Sequence, residues 1–143
     1  MRYLLTILTA FIFVSGICGC HKSGKWVNDP NNWKRAFGNP PPTNFEVIHS
    51  IYWRTSHFTR EDGWTFQVKS PPSFYKEWLG AYKVKHPDSA ELQRLEFLKK
   101  DKPAWFLPKP LAEYEIWVID QPDSNFGLFI DQTSGEWFVT DAG

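Results

Sequence analysis

Cysteine is scarce in this chain, net charge is absent, and the common catalytic signatures are missing. Only two of the 143 residues are cysteine, Cys18 and Cys20, so residues 21–143 contain no thiol and no disulfide. A domain built from them must draw its stability from its core. Sixteen Lys plus Arg balance 16 Asp plus Glu. That balance excludes a nucleic-acid binder of the bulk-basic kind, and no nucleic-acid partner is expected. There is no Gly-x-Ser-x-Gly elbow, no phosphate loop and no paired-His zinc helix. There is also no internal repeat and no sign of a second domain. What the chain has in plenty is aromatic rings, at 17% of residues with eight Trp. With 42% hydrophobic residues, this excludes a wholly disordered chain.

The first twenty residues read as an address. Arg2 supplies a positive start, Tyr3 to Val14 is almost unbroken apolar sequence, and small residues with cysteine follow at Ser15-Gly16-Ile17-Cys18-Gly19-Cys20. This is the three-part layout of a secretory signal peptide, and its apolar run is short for a membrane span. Ile17-Cys18-Gly19-Cys20 resembles a bacterial lipobox, and the leader as a whole resembles that of a bacterial lipoprotein. The resemblance implies a signal peptide over 1–19, cleavage before Cys20, diacylglyceryl attachment to its sulfur and acylation of the new amino terminus with a palmitate-like chain. It also implies a cell-envelope location, with the membrane as a partner through Cys20. His21 after the anchor implies the outer membrane, if the organism has one. An ordinary cleaved signal peptide and an uncleaved N-terminal anchor are the alternatives. The resemblance ends with the leader.

Residues 20–44 read as lipid anchor, tether and one short aromatic helix. Asp29-Pro30 suits a helix N-cap and first turn, and Gly38 suits the left-handed close. Trp33 and Phe37 lie four apart on one face of the helix Pro30–Phe37. They either dock on the domain or serve as a recognition epitope.

Residues 45–143 read as a single α+β domain. The alternation over Phe45–Arg54 predicts a strand, with Val47, Ile51 and Trp53 on the face of His49 and with Ile48, Tyr52 and Arg54 on the other. A loop over Thr55–Asp62 leads to a strand over Trp64–Lys69. Phe74, Trp78 and Tyr82 predict a helix over Ser73–Lys85. Asp88 and Glu91 form a capping-box pattern for a helix over Ser89–Lys100. Three prolines keep Asp101–Leu111 irregular, although Trp105-Phe106-Leu107 is strongly apolar. Strands follow at Tyr114–Asp120, Phe126–Asp131 and Glu136–Thr140. The expected order is ββααβββ, an antiparallel sheet of about five strands with two main helices on one face, preceded by the short N-terminal helix.

Charge is segregated along the chain. Residues 20–110 carry 15 basic and 9 acidic side chains, whereas residues 111–143 carry 7 acidic and no basic ones. Either the lysines face the acidic strands internally, or an acidic edge that includes Asp120 and Asp123 meets a cationic partner.

Candidate chemistry centres on His49, Arg54, His57, Arg60, Glu61 and Asp62. His57 with Glu61 or Asp62 would suit a hydrolytic dyad, with His49 nearby. The spacing of His49, His57 and Glu61 matches no tight ligand motif, so neither a metal nor a cofactor is assigned. Trp26, Trp33 and Trp105 fall outside the main elements and are the tryptophans expected to be exposed, where they can stack on a sugar or anchor a protein. The sequence therefore predicts a lipid-anchored, non-catalytic interaction module for an envelope protein. A glycan-binding or cell-wall-binding lipoprotein and a small envelope hydrolase are the alternatives. Candidate binding residues are Trp33, Phe37, Arg54, Trp105, Asp120 and Asp123.

Overall fold

The computed structural model describes residues 23–56, 61–121 and 124–142. The leader, Cys20, His57 and Asp123 lie outside the described residues. Strands β1 (Gly24–Val27), β2 (Glu46–Arg54) and β3 (Asp62–Lys69) are followed late in the chain by β5 (Tyr114–Ile119), β6 (Gly127–Asp131) and β7 (Glu136–Ala142). A two-residue strand, β4 (Val84–Lys85), joins them. Helix α1 (Asn32–Phe37) precedes β2, and helices α2 (Pro72–Ala81) and α3 (Ser89–Lys100) lie between β3 and β5. A 3-10 turn, Leu111–Glu113, leads into β5.

The α+β class and the antiparallel sheet are as expected, but the sheet has seven strands rather than about five. Its spatial order is β1-β2-β3-β7-β6-β5-β4. The two added strands sit at the two edges, and both are short. β1 lies within the segment read as tether, where Gly24-Lys25-Trp26-Val27 is too brief to show a period. β4 follows α2, which stops at Ala81 instead of Lys85 because Tyr82 turns extended. Pro87, which has no N–H to donate, then blocks further strand pairing.

Helices cover both faces of the sheet rather than one. On the first face, Leu95 and Leu98 of α3 and the irregular Trp105-Phe106-Leu107 pack on Tyr114, Ile116, Phe129 and Phe138. On the second face, Trp33 and Phe37 of α1 and Phe74 and Trp78 of α2 pack on Phe66, Leu128, Trp137 and Val139. Strand alternation explains the double layer, because Trp137 and Val139 point one way and Phe138 the other. All five residues of β6 are consequently buried.

Two local departures matter for the site. A register shift between Val47 and His49 forms a bulge in β2. The bulge turns Val47 to the second face, against Val68, and leaves His49, Ile51 and Trp53 together on the first. Leu107 sits at φ 51 and is 1% exposed. Its left-handed backbone lets both Phe106 and Leu107 enter the core from a segment that cannot be helix or strand.

α1 begins at Asn32, two residues later than expected. The Asp29 carboxylate accepts the Asn31 N–H at 2.8 Å, and the Gly38 N–H closes on the Lys34 carbonyl at φ 79. The buried Asn32 amide donates to the Trp26 carbonyl and to the Ser50 hydroxyl, each at 3.0 Å. One side chain thus ties α1 to both β1 and β2.

Candidate functional site

A cleft lies between α3 and the β5 edge, with a volume of about 670 Å³. That lies within the range of roughly 300–1,000 Å³ usual for ligand sites. The reciprocal capping box starts one wall. The Asp88 carboxylate accepts the Glu91 N–H at 2.9 Å, and the Glu91 carboxylate accepts the Asp88 N–H at 2.9 Å. With α3 so fixed, Leu95 is buried while Leu92 and Phe97 turn towards the cleft, 36% and 64% exposed. Leu111, Tyr114 and Ile116 form the floor. Glu96 and Lys100 stand along the wall, so the cleft is apolar inside with few polar groups.

The other wall is His86 and Pro87, which follow β4. The His86 ring stacks on Trp117 at 3.9 Å between centroids, and its Nδ1–H donates to the Ile116 carbonyl at 2.9 Å. That bond places a proton on Nδ1 and satisfies an edge carbonyl of β5. Lys83 pairs with Asp120 at 2.8 Å, and Lys85 pairs with Glu91 at 3.2 Å. These contacts hold β4 to β5 and to the start of α3. The Lys83 hydrogen bond also lowers the Asp120 pKa, and the Glu91 hydrogen bond raises that of Lys85.

The cleft was not legible as a site in the sequence. Leu92 sits in the apolar series Leu92, Leu95 and Leu98, which reads as one core face. Phe97 breaks that series, and a large ring one position off the core stripe was the available signal.

The residues predicted from sequence lie in several places. His49 sits on the first face of β2, with its ring stacked on Trp105 at 5.2 Å. Its Nδ1 is buried with no hydrogen-bond partner. Glu61 is exposed at the far end of the same hairpin, where its carbonyl accepts the Thr55 N–H at 2.9 Å. Asp62 pairs with Arg54, five residues along β2 from His49. At about 3.3–3.4 Å per residue this separates His49 from Glu61 by about 17 Å. The structure does not bring them together, and His57 lies outside the described residues.

Arg54 points to the second face. Its guanidinium donates to the Tyr52 hydroxyl and lies 3.6 Å from the Asp62 carboxylate, to which Tyr52 donates at 2.7 Å. Burial raises the Tyr52 pKa. Trp33 is 4% exposed rather than displayed, because Phe37, Phe45 and Phe66 surround it. Phe37 is half-buried in the same layer. Trp105 is also half-buried, and Asp120 is engaged by Lys83.

Part of the charge segregation resolves within the fold, since Lys83 and Lys109 pair with Asp120 and Asp131. Among the described residues no group of three His, Cys, Asp or Glu could hold a metal ion, and no helix is long and apolar enough to cross a membrane. Compared with known protein families, curated proteins and solved structures, the chain shows no significant match.

Proposed function

We propose that this protein is a lipid-anchored cell-envelope module that binds an envelope protein through the α3–β5 cleft, without catalysis of its own. The observation that carries the reading is the exposed Phe97 beside an apolar floor of Leu111, Tyr114 and Ile116. A small ligand lying here would leave one side in water, because Phe97 is 64% exposed. Ligand pockets bury most of a ligand, whereas a protein surface covers the ring and the cleft together. The occupant is an apolar side-chain cluster of that partner, flanked by polar groups that meet Glu96 and Lys100.

On this reading the anchor attaches at the β1 edge of the sheet, away from the cleft. β1, which follows Cys20 by four residues, and β5 stand at opposite sides of the seven-strand order. Five strand spacings of about 4.8 Å place them about 24 Å apart, so the acyl chains and the partner do not compete for one surface.

Affinity capture from the native envelope tests the proposal, using wild type and the double variant Leu92→Asp, Phe97→Asp. Both side chains are solvent-accessible, so the fold is retained and circular dichroism verifies it. The proposal expects one stoichiometric protein recovered with wild type and lost with the variant. Equal recovery with both proteins would overturn it.

A further inference from the structure

We infer that the first face of β1 and β2 lies against the lipid headgroups, so that the domain itself, and not the acyl chains alone, contacts the membrane. The inference rests on the reading of Cys20 as the lipid anchor. Three residues separate Cys20 from Gly24, the start of β1, so four Cα–Cα steps join them. Fully extended, they span at most about 14 Å. A domain of this size has a radius of gyration of about 13–14 Å. A tether no longer than that radius keeps the β1 edge at the headgroup layer.

The two faces of that edge differ. On the second face α1 covers the sheet, and Trp26 packs on Tyr52 at 5.8 Å with the Arg35 guanidinium over its ring. On the first face Lys25 pairs with Trp53 and Val27 pairs with Ile51, so the four side chains form one patch. His49 continues it along β2, with Trp105 stacked on its ring. Val27 is 57% exposed. Trp53 lies flat on the sheet, because a Cβ at Gly63 would come within 2.6 Å of its indole.

The composition suits a headgroup layer. Tryptophan rings favour the membrane–water boundary, and a lysine favours anionic lipid. Across β1, and across β2 from His49 to Trp53, Lys25 is the one formally charged side chain. A cationic, aromatic patch held within tether length of the acyl chains meets the bilayer before it meets any other surface.

On that reading the mature chain has no free thiol once the Cys20 sulfur carries the diacylglyceryl group, so a single introduced cysteine reports one position. The full lipidated protein carrying Val27→Cys is labelled with an environment-sensitive dye and reconstituted in vesicles of phosphatidylethanolamine and phosphatidylglycerol. Lys76→Cys, exposed on α2, serves as the control. The mass of Cys20 is read in the same sample. The inference expects blue-shifted emission and several-fold stronger quenching by brominated lipid at position 27 than at 76. It also expects Lys25→Glu to reduce that quenching. Lipidated protein with equal, water-like emission at both positions would overturn the inference and leave the anchor intact. Emission shielded at 27 but insensitive to brominated lipid would assign the patch to a protein neighbour instead, and would equally overturn it. A Cys20 without lipid mass would remove the anchor reading and this inference together.

Discussion

The Lys109 ammonium lies 2.6 Å from the Asp131 carboxylate, and this contact fastens the proline-rich segment to the β6–β7 turn. The same carboxylate accepts the Thr133 N–H at 2.9 Å, so one side chain closes the turn and anchors the segment. The Lys109 hydrogen bond is the main reason that the Asp131 pKa falls from 3.8 to about 2.

A stability prediction follows for acid. Asp131 is ionised more readily in the folded chain than in the unfolded one. Its contribution is therefore complete above the unfolded value of about 3.9 and is lost as pH falls through about 2. Denaturant melts between pH 5 and pH 2 should show stability declining in wild type, with a shallower decline in Asp131→Asn. Parallel curves would contradict this assignment.

Lys102 makes the opposite kind of prediction, at alkaline pH. Its ammonium donates to the Thr65 and Thr140 hydroxyls at 3.1 and 3.0 Å, and burial lowers its pKa. The unfolded chain, with a value of about 10.4, then holds the proton more firmly than the folded one. Stability should rise with pH as Lys102 loses its proton in the folded state, up to about the unfolded value. Melts from pH 8 to pH 10.5 should show that rise in wild type and not in Lys102→Met.

Asn32 is the joint between α1 and the β1 edge. Replacing it with Ala strands the buried Ser50 hydroxyl and Trp26 carbonyl, at an expected loss of about 1–3 kcal/mol. Because β1 pairs only with β2, hydrogen exchange should accelerate in β1 before it does in β6 or β7. Uniform acceleration across the sheet would contradict the view of Asn32 as a local joint.

Gly63 allows the close approach of Trp53. Gly63→Ala should lift the indole from the sheet and destabilise the protein by about 1–3 kcal/mol through overpacking. The Trp53 fluorescence should move towards that of a water-exposed ring, which can be followed by comparison with Trp53→Phe.

Much of the fold was legible where a pattern was long enough to show its period. The capping box of Asp88 and Glu91 marked the start of α3 at Ser89, and the helix runs to Lys100 as expected. The runs of β5, β6 and β7, bounded by turn residues at 121–125 and 133–135, marked three strands to within two residues. The edge strands were not legible, since four residues in β1 and two in β4 hold no period. Coverage of both faces was hidden for a different reason. Phe129 and Phe138 look like members of the same apolar runs as Leu128 and Trp137, and only the three-dimensional partners separate them. The β2 bulge moved Val47 off the face that a strict two-residue repeat assigns to it. The cleft was the least legible part, because it depends on where α3 sits over Leu111, at the end of the proline-rich segment, and Ile116, beyond it.

Photo-crosslinking in the native envelope tests whether the α3–β5 cleft is the partner-binding surface. A photoreactive phenylalanine analogue is placed at Phe97 in the anchored protein, and separately at Lys76 on α2. One crosslinked envelope protein is expected from position 97 and none above background from position 76. Crosslinks of equal yield and identity from both positions, or none from 97 while the partner is captured intact, would contradict it.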